Sequence, residues 1–505
     1  MTTLTQRLVV DDEELAGLRA PRTDLLRERV GGPDDFGIDR GPFERYRRTL
    51  EVTPRDDGRH DVVQRIDYRL AVRYWRWLLH LPVRWRIQRP GEKTPWWAPP
   101  DVVDARAAVA LSTLTIVAII GGYLSTLIGQ TMTFAADEFG SDERAQGFAL
   151  GAVRIGAVIA LAMVAVADRR GRRIVLVGAC ALGITASATG ALAPDLTTLT
   201  LSQIVGRSFA TTLVIIVPIL AAEEMPSGSR AYALGLLALC SSLGSGFAVM
   251  ALPLADLGER AWRLIYLVPL LALPVVRNVW RNLPESRRYE AHAADRAGRV
   301  RLGQYRGRLA LLALTGFLLN VFVAPAAQFR NRFLDDERGF SATEISGFTL
   351  LTSTPAGIGV VLGSQLADRW ARKPVAAFGF TASAVLTAAF YLSDGFELWL
   401  FALSGTILGA FAVPAFKVYE PEMFPTRLRG RANGIITAVT LVGSVTGLVT
   451  TGLLTDPLGG LGQALAVVCI GGILAATLIL LRFPETANEE LEAINPADRD
   501  DREVS

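Results

Sequence analysis

Residues 166–175 read VADRRGRRIV and residues 366–375 read LADRWARKPV. Each follows a run of about twenty apolar residues, the length at which an α-helix crosses the ~30 Å hydrocarbon core of a bilayer. Each is followed by another such run. A turn made of Asp and several Arg does not belong in hydrocarbon, where even the backbone must satisfy its polar groups within the segment. The two decapeptides therefore read as charged turns between membrane-spanning helices. Asp168 and Asp368 stand 200 positions apart, which raises the question of what else recurs at that offset.

About twelve apolar runs follow one another between residues 107 and 483, apolar all round rather than on one face. That pattern predicts an all-α polytopic membrane protein with twelve transmembrane helices. After the sixth run comes LPES (283–286) and after the twelfth FPET (483–486), again 200 apart. After the fourth comes EEMPSGSRA (223–231) and after the tenth PEMFPTRLRGRA (421–432), offset 198. Three landmarks in one order, twice over, indicate two pseudo-symmetric six-helix halves, the architecture of alternating-access transporters. The chain divides accordingly into an extension (1–106), a first bundle (107–283), a charged central loop (284–307), a second bundle (308–483) and a tail (484–505).

The formal net charge of +3 says little, but its placement is informative. With the N-terminus in the cytoplasm, the cytoplasmic turns hold Arg169, Arg170, Arg172 and Arg173, then Arg230, then the stretch from Arg281 to Arg308. Arg369, Arg372 and Lys373, and then Arg427, Arg429 and Arg431, follow on the same side. The opposite side carries mainly Arg144, Arg260, Arg263, Arg330, Arg332 and Arg338. The asymmetry obeys the positive-inside rule with both termini in the cytoplasm and the chain in the cell membrane. The opening MTTLTQRLVVDDEELAG has no apolar core, so no cleaved signal peptide is expected. Cys180, Cys240 and Cys469 fall inside apolar runs and read as core thiols, and His60, His80 and His292 are scattered, so no metal set is expected. Lys93, Lys373 and Lys417 do not follow a glycine, which excludes a P-loop. No nucleophile–base pair appears. The expectation is a protein without cofactor, and not an enzyme.

These residues carry a family resemblance. From about 107 to 490 the chain resembles the major facilitator superfamily. Asp168-Arg169-Arg170-Gly171-Arg172-Arg173 is similar to its signature between the second and third spans, and Asp368-Arg369-Trp370-Ala371-Arg372-Lys373 to the degenerate second copy. Trp262-Arg263, Pro284-Glu285-Ser286, Glu422-Met423-Phe424-Pro425 with Arg429-Gly430, and Pro484-Glu485-Thr486 are similar to landmarks of the sugar-porter and metabolite:proton symporter branches. Val164 and Ser364 stand where the family usually has Gly, and Ala371 replaces the Gly of the second copy. The resemblance implies a secondary transporter. It also implies a cytoplasmic gate of ion pairs drawn from Asp168, Arg169, Arg172, Glu223, Glu224, Arg230, Glu285, Asp368, Arg369, Arg372, Glu422, Arg429 and Glu485. Each exposed pair contributes ~0.5 kcal/mol, so only a network could bias the two halves.

Depth along a helix follows from the 1.5 Å rise per residue. Arg154, fourteen residues before Asp168, lies roughly 21 Å in, and Arg207, sixteen before Glu223, roughly 24 Å in. An arginine at mid-membrane costs about 3 kcal/mol on insertion scales and marks a functional site by default. Members of the sugar-porter branch usually carry an Asp after Gly-Tyr on the first span. Here the stretch is Gly122-Tyr123-Leu124, and no span has Asp or Glu in its middle. An unpaired buried cation calls for an anion. A small organic acid held between Arg154 and Arg207 is the sharper expectation. A neutral sugar or polyol bound by Tyr123, Gln130, Asn320, Gln328 and Thr354 is the alternative within the same fold. A transporter-like receptor that reports occupancy through its tail is the third. The fifth span lacks the Gly-Pro pair usual in drug antiporters of the family. Gly147 and Gly151, Gly359 and Gly363, and Gly443 and Gly447 are spaced for close helix approach where the halves should meet.

In the extension, residues 65–90 read RIDYRLAVRYWRWLLHLPVRWRIQRP. Arginines interleaved with Tyr74, Trp75, Trp77 and Trp85 suit an amphipathic helix lying against anionic lipid headgroups, rather than nucleic acid, so close to a span. Gly31-Gly32-Pro33 and Thr53-Pro54 break up the charged segments before it, predicting short helices or partial disorder. A cytoplasmic protein partner for residues 1–106 is a further expectation, with no motif to name it.

Overall fold

A computed structural model describes residues 2–89, 95, 97–226, 229–283, 302–369, 371–419, 423–424 and 428–485, with backbone alone at 168–170, 231, 302–303, 368–369 and 429–431. Among the described residues twelve helices have the length and apolar composition to cross a membrane. The first six are Ala105–Glu138, Glu143–Ala167, Arg172–Leu192, Leu196–Glu224, Tyr232–Leu257 and Arg263–Asn282. The second six are Arg306–Gln328, Ala342–Ala367, Arg372–Leu392, Gly395–Lys417, Ala432–Leu458 and Leu461–Arg482. The first span is longer than its apolar run because its last turns carry Asp137 and Glu138 beyond the hydrocarbon.

The repeat is visible in how helices begin. Asp142 caps the second span by accepting from the Ala145 N–H at 2.8 Å, and Ser341, 199 residues later, caps the eighth by accepting from the Glu344 N–H at 3.3 Å. Such caps satisfy backbone donors that the helix itself leaves orphaned. The second span is interrupted at Arg154 and the eighth at 354–355, again 200 apart.

The glycine pairs act in two ways. Gly147 and Gly151 do join the halves: a Cβ on Gly147 would lie 2.7 Å from the Leu448 carbonyl oxygen of the eleventh span. Gly359 and Gly363 instead seat the eighth span on the tenth, where an added Cβ would lie 2.0 Å from the Ile407 or Phe411 carbonyl oxygen, and Gly443 and Gly447 seat the eleventh on the seventh. These four glycines belong to packing within the second half. Small-residue spacing announces a close approach but not the partner.

The extension departs from the expected helices or disorder. It is a five-stranded antiparallel sheet of order β1-β5-β4-β3-β2, with β1 Thr2–Val10, β2 Arg27–Gly32, β3 Asp35–Arg40, β4 Phe43–Pro54 and β5 His60–Leu70. Helix α1 (Asp12–Arg19) follows β1, and α2 (Arg76–Gln88) follows β5. Along β5, Val62, Gln64, Ile66, Tyr68 and Leu70 alternate as buried residues, the period-two pattern of a half-buried strand. So the Arg-rich stretch from 65 onward is strand before it is helix. Leu4, Phe43, Ile66 and Tyr68 form one core with Val83 and Ile87 of α2. Beside it Arg48 is buried against Glu28 at 2.7 Å, with the Tyr46 hydroxyl donating to the same carboxylate at 2.7 Å. A buried pair survives when its remaining hydrogen-bonding groups are met. Arg48 does this by also donating to the Leu18 and Ala20 carbonyls.

The extension rests on the first half. Trp75 Nε1 donates to Thr115 Oγ1 on the first span at 2.7 Å, the Asp101 N–H to Ser229 Oγ at 2.9 Å, and Arg73 to Asn282 at the end of the sixth span.

Candidate functional site

A Cβ on Gly156 would come 2.7 Å from the Ile204 carbonyl oxygen, so the second and fourth spans touch backbone to backbone. That contact, within a turn of each arginine, brings Arg154 and Arg207 together. Both are half-buried, and their guanidinium groups lie close enough to repel each other. Arg207 donates to the Ser125 carbonyl of the first span. The Arg154 side chain makes no hydrogen bond or ion pair among the described residues, and no described carboxylate pairs with either arginine. Two like charges side by side in low dielectric are unfavourable unless an anion joins them.

The other candidates disperse. Tyr123 is buried, and its hydroxyl donates to the Ile265 carbonyl at 2.8 Å, inside a core to which both halves contribute. Gln130 is buried and accepts, through both its side chain and its carbonyl, from Asn331 Nδ2 at 3.0 Å across the halves. Gln328 lies against Gly129, and its Oε1 is buried without a hydrogen-bond partner. Asn320 accepts from Ser444 Oγ at 3.1 Å, while exposed Thr354 donates to the Leu350 carbonyl of its own helix. Only Arg154 and Arg207 come together as a pair.

At the end bearing the repeated turns, Arg172 pairs with Glu223 and Arg106 with Glu224 at 3.2 Å, both within the first half. Glu485 accepts the Arg372 and Lys373 N–H groups at 2.9 and 3.1 Å, capping the ninth span within the second half. A carboxylate there also meets the positive end of the helix dipole. Arg230 opens the helix of the fifth span. The side chains of Asp168, Arg169, Asp368, Arg369 and Arg429, and the whole of Glu285 and Glu422, lie outside the described residues.

The opposite end holds what sequence reasoning missed. Glu138 closes the first half by accepting from Trp262 Nε1 at 2.8 Å and from Arg263 at 2.8 and 3.1 Å, which gives the Trp-Arg landmark its physical role. Its repeat counterpart Glu337 accepts the Gly462 N–H at 3.0 Å. Between the halves, Arg332 of the short helix Arg330–Asp336 pairs with Asp137 and its own Asp336, with Glu143 at 3.6 Å. Asp256 accepts the Ala342 and Thr343 N–H groups at 2.9 and 2.8 Å, capping a helix of the other half. Burial raises the Asp335 carboxyl to about 6, helped by Asp137 and Asp256 against Arg332. Burial likewise raises Asp336 to about 6: Arg332 pulls it down, but Asp137, Asp335 and Glu143 push it up. The acid-rich ends of the first and seventh spans were visible in sequence, but not that they meet.

Two pseudo-symmetric six-helix halves, joined among the described residues at the end away from the repeated turns, with two half-buried arginines on the second and fourth spans, define a solute transporter of the membrane. The family model described as Major Facilitator Superfamily matches residues 114–330 and 329–499, and the chain belongs to that family. It is therefore a multi-pass transporter rather than an enzyme. A cis,cis-muconate transport protein of Acinetobacter baylyi is 29% identical over 154 residues, 30% of this chain and 37% of that relative's length. A putative metabolite transport protein of Bacillus subtilis, YwtG, is 24% identical over 431 residues, 75% of this chain and 92% of the relative. Among solved structures, a D-xylose-proton symporter matches with TM-score 0.63 and 19% identity, over 74% of this chain and 98% of the other. A bacterial homolog of the human lysosomal transporter Spinster, inward-facing and unoccupied, matches with TM-score 0.62 and 16% identity, over 78% and 98%. At these identities the structures speak for the fold alone.

Proposed function

We propose that this protein moves a small organic anion across the cytoplasmic membrane by alternating access, with both termini in the cytoplasm. The observation that carries the reading is the Arg154–Arg207 pair: two neighbouring guanidinium groups at mid-span with no described carboxylate between them. A substrate carboxylate supplies the missing charge and bridges second and fourth spans. The relative named for transport of cis,cis-muconate, an organic carboxylate, agrees with it. In this orientation the repeated turns face the cytoplasm, and the joined end faces outward. The charged residues of the repeated turns, Asp168, Arg169, Asp368 and Arg369, are then the cytoplasmic gate, while Arg172 with Glu223 and Arg106 with Glu224 hold the first half together. The exposed stripe of Trp77, Leu81, Arg84 and Trp85 on α2 lies against anionic headgroups.

The test is thermal stability of the purified protein against small organic acids, inorganic anions and sugars, because a ligand of the folded state raises the melting point by mass action. Stabilisation by an acid, lost in Arg207→Gln together with uptake into vesicles, is the expected result. Unchanged transport in Arg207→Gln overturns the anion site. A second reading, a neutral sugar or polyol, rests on the unpartnered Gln328 Oε1 and on the Asn320–Ser444 pair of the second half. Stabilisation by a sugar alone selects it. Binding without substrate-driven flux selects a receptor.

A further inference from the structure

The extension and the first half enclose a cavity of about 340 Å³ that the transport reading does not use. The first and fifth spans touch where Gly122 and Gly244 leave room, 2.0 Å from the Ser241 and 1.9 Å from the Ile119 carbonyl oxygens for an added Cβ. Beyond that contact the groove between them opens, lined by Leu111, Leu236, Cys240 and Leu243, and Leu79 and Trp97 of the extension close it from the side.

Few polar groups line it: Asp101, whose N–H donates to Ser229 Oγ at 2.9 Å, is exposed, and most of the others lie against protein partners. Trp75 Nε1 donates to Thr115 Oγ1 at 2.7 Å, the Tyr232 hydroxyl to the Trp97 carbonyl at 2.8 Å, and Ser112 Oγ to the Val109 carbonyl at 3.1 Å. Asp24 is paired with Arg86 at 3.1 Å. A buried water needs two to four polar partners, and a polar solute needs more, so neither is held here. What fits is hydrocarbon.

The rim says where the hydrocarbon comes from. Leu243 on the fifth span and Leu78 on α2 both line the cavity and are about half exposed, 46% and 53%. Leu239, one turn before Leu243, is exposed as well. An exposed leucine on a spanning helix faces acyl chains, so the mouth opens on the bilayer. Beside it α2 presents Trp77, Leu81 and Trp85 with Arg84, the composition that settles among phospholipid headgroups. We infer that this cavity binds one acyl chain of a membrane phospholipid, and that the bound chain forms part of the joint between the extension and the first half.

The repeat supplies an internal control. Segments 306–315 and 432–442 of the second half correspond to the cavity walls, and neither lines the cavity, whose walls come from the extension and the first half. The full-length protein is reconstituted in phosphatidylethanolamine–phosphatidylglycerol vesicles with a trace of phosphatidylglycerol bearing a diazirine near the end of one chain, illuminated, and mapped by peptide mass spectrometry. Adducts on 102–115 and 232–243 are expected several-fold above those on 306–315 and 432–442. Leu236→Trp, and independently Cys240→Phe, should reduce the first set several-fold and leave the second unchanged. Equal labelling of both halves in the wild type overturns the proposal without recourse to either variant. Labelling that resists both substitutions also overturns it. A parallel arm with a diazirine fatty acid tests the source: labelling by the free acid but not by the phospholipid defeats the assignment to a membrane lipid.

Discussion

The two ends of the bundle are built on opposite plans. At the end that bears the repeated turns, the described ion pairs and caps stay within one half: Arg172 with Glu223, Arg106 with Glu224, Glu485 on the ninth span. At the other end Glu138 and Glu337 also stay within their halves, but a second set crosses: Arg332 to Asp137, Asp256 to the eighth span, Asn331 to Gln130, Arg144 to Asp456 at 3.3 Å. A contact inside one half is indifferent to how the halves are tilted, whereas a contact between halves exists in one tilt only. The first kind therefore sets the stability of each bundle, and the second kind sets the balance between states. Glycine packing follows the same division, with Gly147 between halves and Gly363 within one.

The contrast can be broken most forcefully at Gly147. With the Leu448 carbonyl oxygen 2.7 Å from where a Cβ would stand, Gly147→Leu should hold the second and eleventh spans apart. Overpacking of this kind costs ~1–3 kcal/mol, so transport should fall roughly tenfold or more. Spin labels placed one per half at this end should show the longer separation. A wild-type distance distribution would mean that the joint is softer than its glycines suggest. Next in size is Arg332→Gln, which leaves Asp137, Asp336 and Glu143 without their shared cation. The uncompensated charge costs about 1–3 kcal/mol, which should appear as a shift to the open population at this end, with each half's own helix content unchanged.

A smaller effect comes from pH. Asp335 and Asp336, both raised to about 6, face Asp137, Glu143 and Asp256 of the other half and Arg332 of their own helix. Because the joined state binds the proton more tightly than the separated, solvated one, its stabilisation is complete below the ordinary carboxylate range and fades as pH rises through about 6. The labelled pair should be closer at about pH 5 than at about pH 7.5. Asp335→Asn with Asp336→Asn should flatten that dependence, and a dependence that persists in the double variant would assign it elsewhere. Smallest is Arg172→Gln, which removes a partly buried pair inside one half. A loss of about 1 kcal/mol, between the exposed and buried limits, is expected in thermal stability.

Spans, repeat and the two mid-span arginines were legible because they depend on local composition and on a fixed offset along the chain. What was not legible depends on contacts far apart in sequence. β1 pairs with β5, placing Thr2 opposite Tyr68. Arginines and aspartates on the solvent face of those strands hide the alternation when the stretch is scanned for helical faces. Arg332 and Asp137 are 195 positions apart, and neither charge is remarkable at a helix end until the ends meet. Tyr123 was drawn toward the substrate by its depth alone. Depth fixes height along a helix but not the direction in which a side chain points, and here the hydroxyl turns to Ile265.

The anchoring of the extension has a mechanical consequence. Its described attachment points, at Thr115, Ser229, Tyr232 and Asn282, all belong to the first half. A five-stranded sheet pinned to only one of two rocking bodies travels with that body as a lever arm, so a small rotation at the membrane becomes a larger excursion at its far turn, near Gly58. A fluorophore there and its acceptor on the second half would read the transport cycle as a change in distance, from a position the cycle itself does not touch.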